Sequence, residues 1–522
     1  MTNSAKTIFC GGVLAALLAL TPPLSAAPNH GDQAVRFTVD AFDVTGPNPL
    51  SASRTREVLA PFRGEQAGFL GLRNAADALQ QAMRAEGHQF HRVFVPPQRA
   101  RGAIELRTVV FRIGDVVVEG AEHFDADNVR AMLPSLAAGE TPDPRAMKRD
   151  VRRANGHPAK RLGLTMRRSE REGYIDAVID VTDESPHTFF VSAHNEGTRE
   201  AGEERMALGY QYSNLFDLDH VVTATYTTAP GHWSEVAQYG LTYRIPFYEG
   251  ASSLTLLGSY SDVESGVVAR FFDVTGQGQV LGAILDHDFL GHGTYSHGLR
   301  FSVHDKLFEN DVDFLGQAIG EDVRSRPLAL RYNGEWIRPR ANLGFHVEFA
   351  ANIESGSENN PTQYAAARAG ASPDWQRWRA GVFADWRLGG PWLLRARIDG
   401  QYAGDPLIAG EQFGLGGFDS VRGFLPRIAS ADDGISGSLE LWFPKPREDL
   451  SVLTFVDGGA GWRHNALPDE ESQPAMTSVG SGLRWRPRDW LTANVDWAYV
   501  IDGVPPTEGD SHRIHFNLTA VF

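Results

Sequence analysis

The segment richest in chemical content is Phe413-Gly-Leu-Gly-Gly-Phe418-Asp-Ser-Val421-Arg422-Gly423-Phe424. It carries one cation among apolar and glycine neighbours. On a surface its apolar side chains would meet water, whereas in an interior an unpaired guanidinium would be costly. Burial is therefore tolerable only where a carboxylate receives Arg422. The run Phe455-Val456-Asp457-Gly458-Gly459 offers one. The chemistry implied is a buried ion pair that anchors a loop. A purely stabilising role for the pair, and plain loop chemistry for the glycines, are the competing readings. The chain has no phosphate loop, no His-Glu-x-x-His and no nucleophile elbow, so neither enzymatic activity nor a cofactor is expected. His287, His292, His297 and His304 read as a solvated outer loop in preference to a metal site, so no metal is expected. The basic run from Arg145 to Arg171, including Arg149, Arg152 and Arg153, reads first as a solvated helix face and second as a contact for a partner or lipid headgroups.

The elements that would position these residues fall into three parts. Residues 1–27 combine Lys6, an apolar run from Ile8 to Leu20 and the small residues Ser25-Ala26-Ala27, the pattern of a secretory signal peptide cleaved near Ala26 or Ala27. Cys10, the only cysteine, lies inside it behind Phe9, which disfavours a lipoprotein; the exported chain then carries no thiol, which excludes disulfides and cysteine catalysis. The net charge of −16 argues against nucleic acid as a partner. Residues 36–111 predict a small sheet with two helices, with Leu70, Leu72, Ala76, Leu79 and Met83 at helical spacing and Gly87 as a stop. Residues 112–186 repeat that α+β pattern more loosely, with Val116-Val117-Val118 as a strand and helices near Ala126 to Leu133 and Pro144 to Ala154.

From 188 to 522 period-two alternation takes over. In the final segment Ile514, Phe516, Leu518, Ala520 and Phe522 share one face, while His515, Asn517 and Thr519 share the other. Sixteen such segments can be counted, an even number that suits a closed antiparallel barrel with lipid outside and water inside. The fourth is expected from Trp233 and the eighth from Pro327. Trp233, Tyr243, Trp375, Trp386, Trp392, Tyr402, Trp485, Trp490 and Trp497 are expected in interfacial girdles. A secreted all-β sandwich or propeller is the alternative. If the first strand rises from the periplasm, the long connection 403–434 that carries Arg422 is extracellular and is expected to fold back into the barrel.

Val421-Arg422-Gly423-Phe424, followed by Phe455-x-Asp457-x-Gly459, resembles the outer-membrane transporters of two-partner secretion (TpsB), the filamentous haemagglutinin and haemolysin transporters within the outer-membrane assembly factor superfamily. Val95-Pro96-Pro97-Gln98 and Asn155-Gly156-His157-Pro158 are similar to stretches of the paired polypeptide-transport-associated (POTRA) domains of that family. The resemblance implies periplasmic POTRA modules at 36–111 and 112–186, and a 16-stranded porin-like barrel over 188–522 in the outer membrane of a Gram-negative bacterium. It implies that Arg422 pairs with Asp457 to hold the loop in the pore, and that the modules capture an unfolded secreted polypeptide. The expected partners are that client, outer-membrane lipid and lipopolysaccharide, and the barrel assembly machinery that reads the terminal strand ending in Phe522; the barrel is expected to be a monomer. Residues 28–35 leave no room for the plug helix that family members often carry. A factor that assembles outer-membrane proteins and a passive pore are the alternative functions.

Overall fold

The computed structural model describes residues 36–522 apart from 68, 100–101, 200, 234–235, 263–265, 269–271, 275–277, 310–312, 315–316, 319–321, 467–469 and 508. The segment expected to be a signal peptide and the stretch expected to lack a plug helix lie outside the described residues. The chain divides into two compact units, Met1–Glu184 and Ser185–Phe522.

The first unit contains two modules. In the first, β1 (Arg36–Thr45), α1 (Ala52–Leu59), β2 (Gly64–Ala67), α2 (Phe69–Ala85), β3 (His91–Phe94) and β4 (Gly102–Val110) form a sheet in the order β2-β1-β4-β3 with two helices. Leu72, Ala76, Leu79 and Met83 on one face of α2 are buried, and Leu79 and Met83 pack with Leu106 in one core cluster. The edge strand β2 was not foreseen, because Gly-Glu-Gln-Ala shows no alternation. The second module has β5 (Arg112–Glu119), α3 (Ala126–Ala131), α4 (Pro144–Ala154), β6 (Lys160–Arg168) and β7 (Tyr174–Asp183), with sheet order β5-β7-β6. The Asp183 carboxylate accepts the amides of Glu122, His123 and Phe124 and so fixes the turn ahead of α3.

The second unit is a closed antiparallel barrel of β8 (His187–His194), β9 (Arg205–Leu215), β10 (His220–Thr228), β11 (Gln238–Phe247), β12 (Ser252–Ser261), β13 (Gly278–Asp288), β14 (Tyr295–Phe308), β15 (Pro327–Arg338, preceded by Val323–Ser325), β16 (Ala341–Asn352), β17 (Gln376–Gly389), β18 (Trp392–Tyr402), β19 (Asp433–Trp442), β20 (Leu450–Trp462), β21 (Ala475–Arg488), β22 (Leu491–Asp502) and β23 (His512–Val521). These are sixteen strands once Val323–Ser325 is taken as the start of β15. That strand begins earlier than expected and is interrupted at Arg326, since Pro327 has no N–H to give the ladder. The fourth strand starts at Gln238, so Trp233 lies in the connection before it.

Alternation sorts the side chains as lipid and water require. Leu439, Val456, Leu483, Val495, Ile514 and Leu518 are exposed on the outer face, while Asp457, Asp496 and His515 are buried inside. Among the described residues no helix is long and apolar enough to cross a membrane. The connections at the end where β8 begins are short, as at 339–340 and 489–490; those at the other end are long, as at 353–375 and 403–432. That asymmetry makes the long loops extracellular.

Two expectations are corrected. Trp375 is only 1% exposed and packs on Tyr364 of the extracellular helix Pro361–Ala367, with its indole N–H bonded to the Tyr364 hydroxyl. A girdle and a loop core both accept tryptophan, and here the loop packing decided. The histidines do not form an outer loop. His287 and His297 flank the short turn between β13 and β14, bonded to Ser252 and Tyr332, and His304 lies higher on β14.

Candidate functional site

The loop between β18 and β19 descends as a ribbon, Phe413–Leu415 paired with Ala429–Ala431. Its tip is seated on the inner wall formed by β19 to β23. Leu415, Val421 and Phe424 pack there with Met476 and Val500, which gives the apolar residues of the motif their shelter. Gly459 faces Leu415 and Val421, where a Cβ would lie 2.7 Å and 3.1 Å from their side chains. The glycine lets the loop lie close to the strand.

Arg422 is 4% exposed and is satisfied on every side. Its Nε donates to Asp457 Oδ2 at 2.7 Å and its Nη2 to Asp457 Oδ1 at 2.8 Å, a two-pronged pairing. Nη1 donates to Glu440 at 2.8 Å and reaches Asp496 at 3.5 Å, and Nη2 also reaches Ser438. The guanidinium carbon lies 3.4 Å from the centroid of the Phe455 ring. The Arg422 backbone amide adds a bond to Asp457 at 3.1 Å. Asp496 is shared with Arg484 at 2.6 Å, and Glu440 accepts the Trp442 indole N–H. This geometry brings together Arg422, Asp457, Phe455 and Gly459, all four expected from the motif and the wall segment. Glu440, Arg484 and Asp496 were not expected there; their signal in the sequence is that they fall on the inward register of β19, β21 and β22.

Gly423 adopts φ +100°, and a Cβ there would stand 3.0 Å from Val500 Cγ2. Gly423→Ala is expected to destabilise the seated loop by about 1–3 kcal/mol. Limited proteolysis of the purified protein should then cut within 403–432 faster than in wild type; equal rates would refute it.

At the extracellular mouth a second group holds the loop. Glu411, fully buried, accepts Lys306 Nζ at 3.0 Å and the Ser325 hydroxyl at 2.9 Å, and is paired with Arg377. Burial alone would raise its carboxyl, but Lys306 and Arg377 overcome this and hold it down at about 2. Asp432, also buried, pairs with Arg368 at 2.8 Å and accepts the amides of Leu407 and His464.

The remaining candidates lie elsewhere. Phe522 ends the chain with its ring stacked on Trp490 and its backbone paired with Phe189. Arg149, Arg152 and Arg153 are half-buried on α4, with Arg149 bonded to buried Asp150 at 3.0 Å.

The chain matches the haemolysin secretion/activation protein family ShlB/FhaC/HecB over residues 173–485 and the ShlB-type POTRA domain over residues 37–109. It is 22% identical over 492 residues to the outer membrane transporter CdiB of Escherichia coli O6:K15:H31, spanning 89% of this chain and 79% of that one. It is 20% identical over 481 residues to the heme/hemopexin transporter protein HuxB of Haemophilus influenzae Rd, spanning 89% and 83%. The solved structure of CdiB from Escherichia coli superposes with a TM-score of 0.76 at 16% identity, covering 96% of this chain and 93% of that one. CdiB from Acinetobacter baumannii superposes with a TM-score of 0.66 at 17% identity, covering 94% and 91%.

Proposed function

This chain belongs to the ShlB/FhaC/HecB family of haemolysin secretion/activation proteins, and on that premise we propose how its parts move a polypeptide outward. It is an outer-membrane transporter of the two-partner secretion type, with POTRA modules in the periplasm. After removal of residues 1–27, modules at 36–111 and 112–186 take an unfolded client by adding its strand to an open sheet edge; β2 and β3 are the edges of the first sheet and β5 and β6 those of the second. The basic face bearing Arg149, Arg152 and Arg153 contacts client or headgroups.

The barrel over 188–522 is the passage, and its inward loop, seated by Arg422 on Asp457, occupies that passage until a client displaces it. The observation that carries this reading is the burial of one loop cation among three wall carboxylates: nothing in closing a barrel requires a loop to enter it. Lipid and lipopolysaccharide cover the apolar outer face, the barrel assembly machinery reads the terminal strand ending in Phe522, and one copy suffices. Folding of the client outside favours export, so no nucleotide is consumed.

The test compares secreted, surface and outer-membrane proteins from cells with and without the chain. Loss of one or a few exported proteins, with other barrels unchanged, is the expected result and names the client. General depletion of outer-membrane barrels would identify an assembly factor instead, and no change in any fraction would overturn the reading.

A further inference from the structure

The two strands that close the barrel meet over its shortest ladder. β23 and β8 share five residue pairs, from Asn517 opposite His194 to Val521 opposite Phe190, and Phe522 with Phe189 adds a sixth; the next shortest ladder among the described residues, between β10 and β11, has seven. Beyond His194 the backbone pairing stops, and side chains take over. The Asn195 carboxamide donates to Ile514 O at 2.7 Å and accepts Phe516 N–H at 2.9 Å, serving two backbone groups of β23 that have lost their strand partner. Arg513 of β23 reaches Asn195 O at 3.0 Å and pairs with Glu203 at 2.9 Å.

The next residue, Glu196, belongs to a different set of contacts. Its Oε1 lies 2.7 Å from Nδ1 of His515 on β23, across the seam. Its Oε2 accepts the backbone N–H of Phe418 at 2.9 Å, in the pore loop. The other ring nitrogen of His515, Nε2, accepts the backbone N–H of Gly423 at 2.8 Å, beside Arg422. An N–H pointing at Nε2 assigns the ring proton to Nδ1, where it is donated to Glu196. His515 is fully buried, so each of these bonds is made away from water.

We propose that Glu196 and His515 are positioning residues that couple the pore loop to the barrel seam. Glu196 stands two residues beyond β8 and His515 lies on β23, they bond to each other just past the end of the shortest ladder, and each takes one backbone N–H of the loop. Loop and seam are therefore stabilised together, and by reciprocity whatever lifts the loop weakens the seam. The coupling rests on the loop being the element that occupies the pore. A client that displaces the loop would at the same moment loosen the join between β8 and β23 and let the passage widen.

The test uses hydrogen–deuterium exchange on the purified full chain in detergent without client, so its outcome does not depend on whether export occurs as proposed. Peptides covering 412–425, 187–196 and 513–522 report the loop and both sides of the seam. His515→Leu removes both bonds and is expected to speed exchange about tenfold in all three. His515→Gln keeps an acceptor for Gly423 and a donor for Glu196 and should stay near wild type. Should His515→Leu fail to insert, Glu196→Gln gives the same reading. It retains an acceptor for Phe418 but sets an amide against Nδ1, forcing the ring to present N–H to Gly423, so loop and seam should again loosen together. Faster exchange in the loop alone, in the seam alone, or in neither would overturn the coupling.

Discussion

Arg422→Ala is expected to reduce export at least about tenfold while the barrel remains folded and inserted. The wall side chains Asp457, Glu440 and Asp496 are held on strands whose ladders do not involve Arg422, so the barrel keeps its backbone bonding. The loop loses its anchor and with it the seated position from which an arriving client displaces it, so client entry no longer drives the opening, and three carboxyl groups lose their shared cation. Removing one partner of a buried ion pair costs about 3–5 kcal/mol, enough to shift the seated loop toward release by more than a hundredfold. Arg422→Lys should rescue poorly. A single ammonium cannot hold both oxygens of Asp457 while also reaching Glu440 and Ser438, and it gives up the flat contact with Phe455. Client in the medium is measured against barrel abundance, with heat-modifiable electrophoretic mobility reporting folding. Wild-type export from an Arg422→Ala barrel of equal abundance would sink the proposed role of the pair.

The second large effect belongs to the mouth. Glu411→Gln leaves Lys306 and Arg377 facing one another beside a neutral amide, again at a cost of about 3–5 kcal/mol. The loop should detach from the extracellular rim, and the purified protein in planar bilayers should show larger and noisier conductance than wild type. Unchanged conductance would mean that Glu411 does not restrain the loop. The same site sets an acid limit. Its carboxyl lies well below its ordinary value of 4.5 in the folded chain, at about 2. A depressed carboxyl contributes stability that is fully present above its ordinary value and is lost as pH falls through its folded value. Loop cleavage by an acid-tolerant protease should therefore remain slow near pH 5 and accelerate only toward pH 2. Release near neutral pH would contradict the pairing.

The barrel was legible because the bilayer imposes a strict rule on each strand. Lipid outside and water inside force alternate residues to opposite polarity, and that signal survives in single segments such as Ile514 to Phe522. The long and short connections then oriented the barrel without any contact information. The Arg422 motif was legible for a related reason: one cation among apolar residues is incompatible with both a surface and an empty interior, so it demanded a partner. Trp375 was misplaced because its type fits an interfacial girdle and a loop core equally. Only the packing of the loop 353–375 against 403–412 separates the two.

The sequence by itself determined the order of two α+β modules and a barrel, the inward and outward register of its strands, and the need of Arg422 for a carboxylate, with Asp457 as the candidate. These follow from local periodicity and from the cost of burying a lone charge. The tertiary structure alone decided that Glu440 and Asp496 join that pair, that Glu411 finds Lys306 and Arg377, and that Glu196 meets His515. Glu196 and His515 stand 319 positions apart, and each reads locally as an ordinary polar residue beside a strand or on its inner face. Closing the barrel brings the first strand against the last, and no local pattern can encode a contact that exists only once that closure is made.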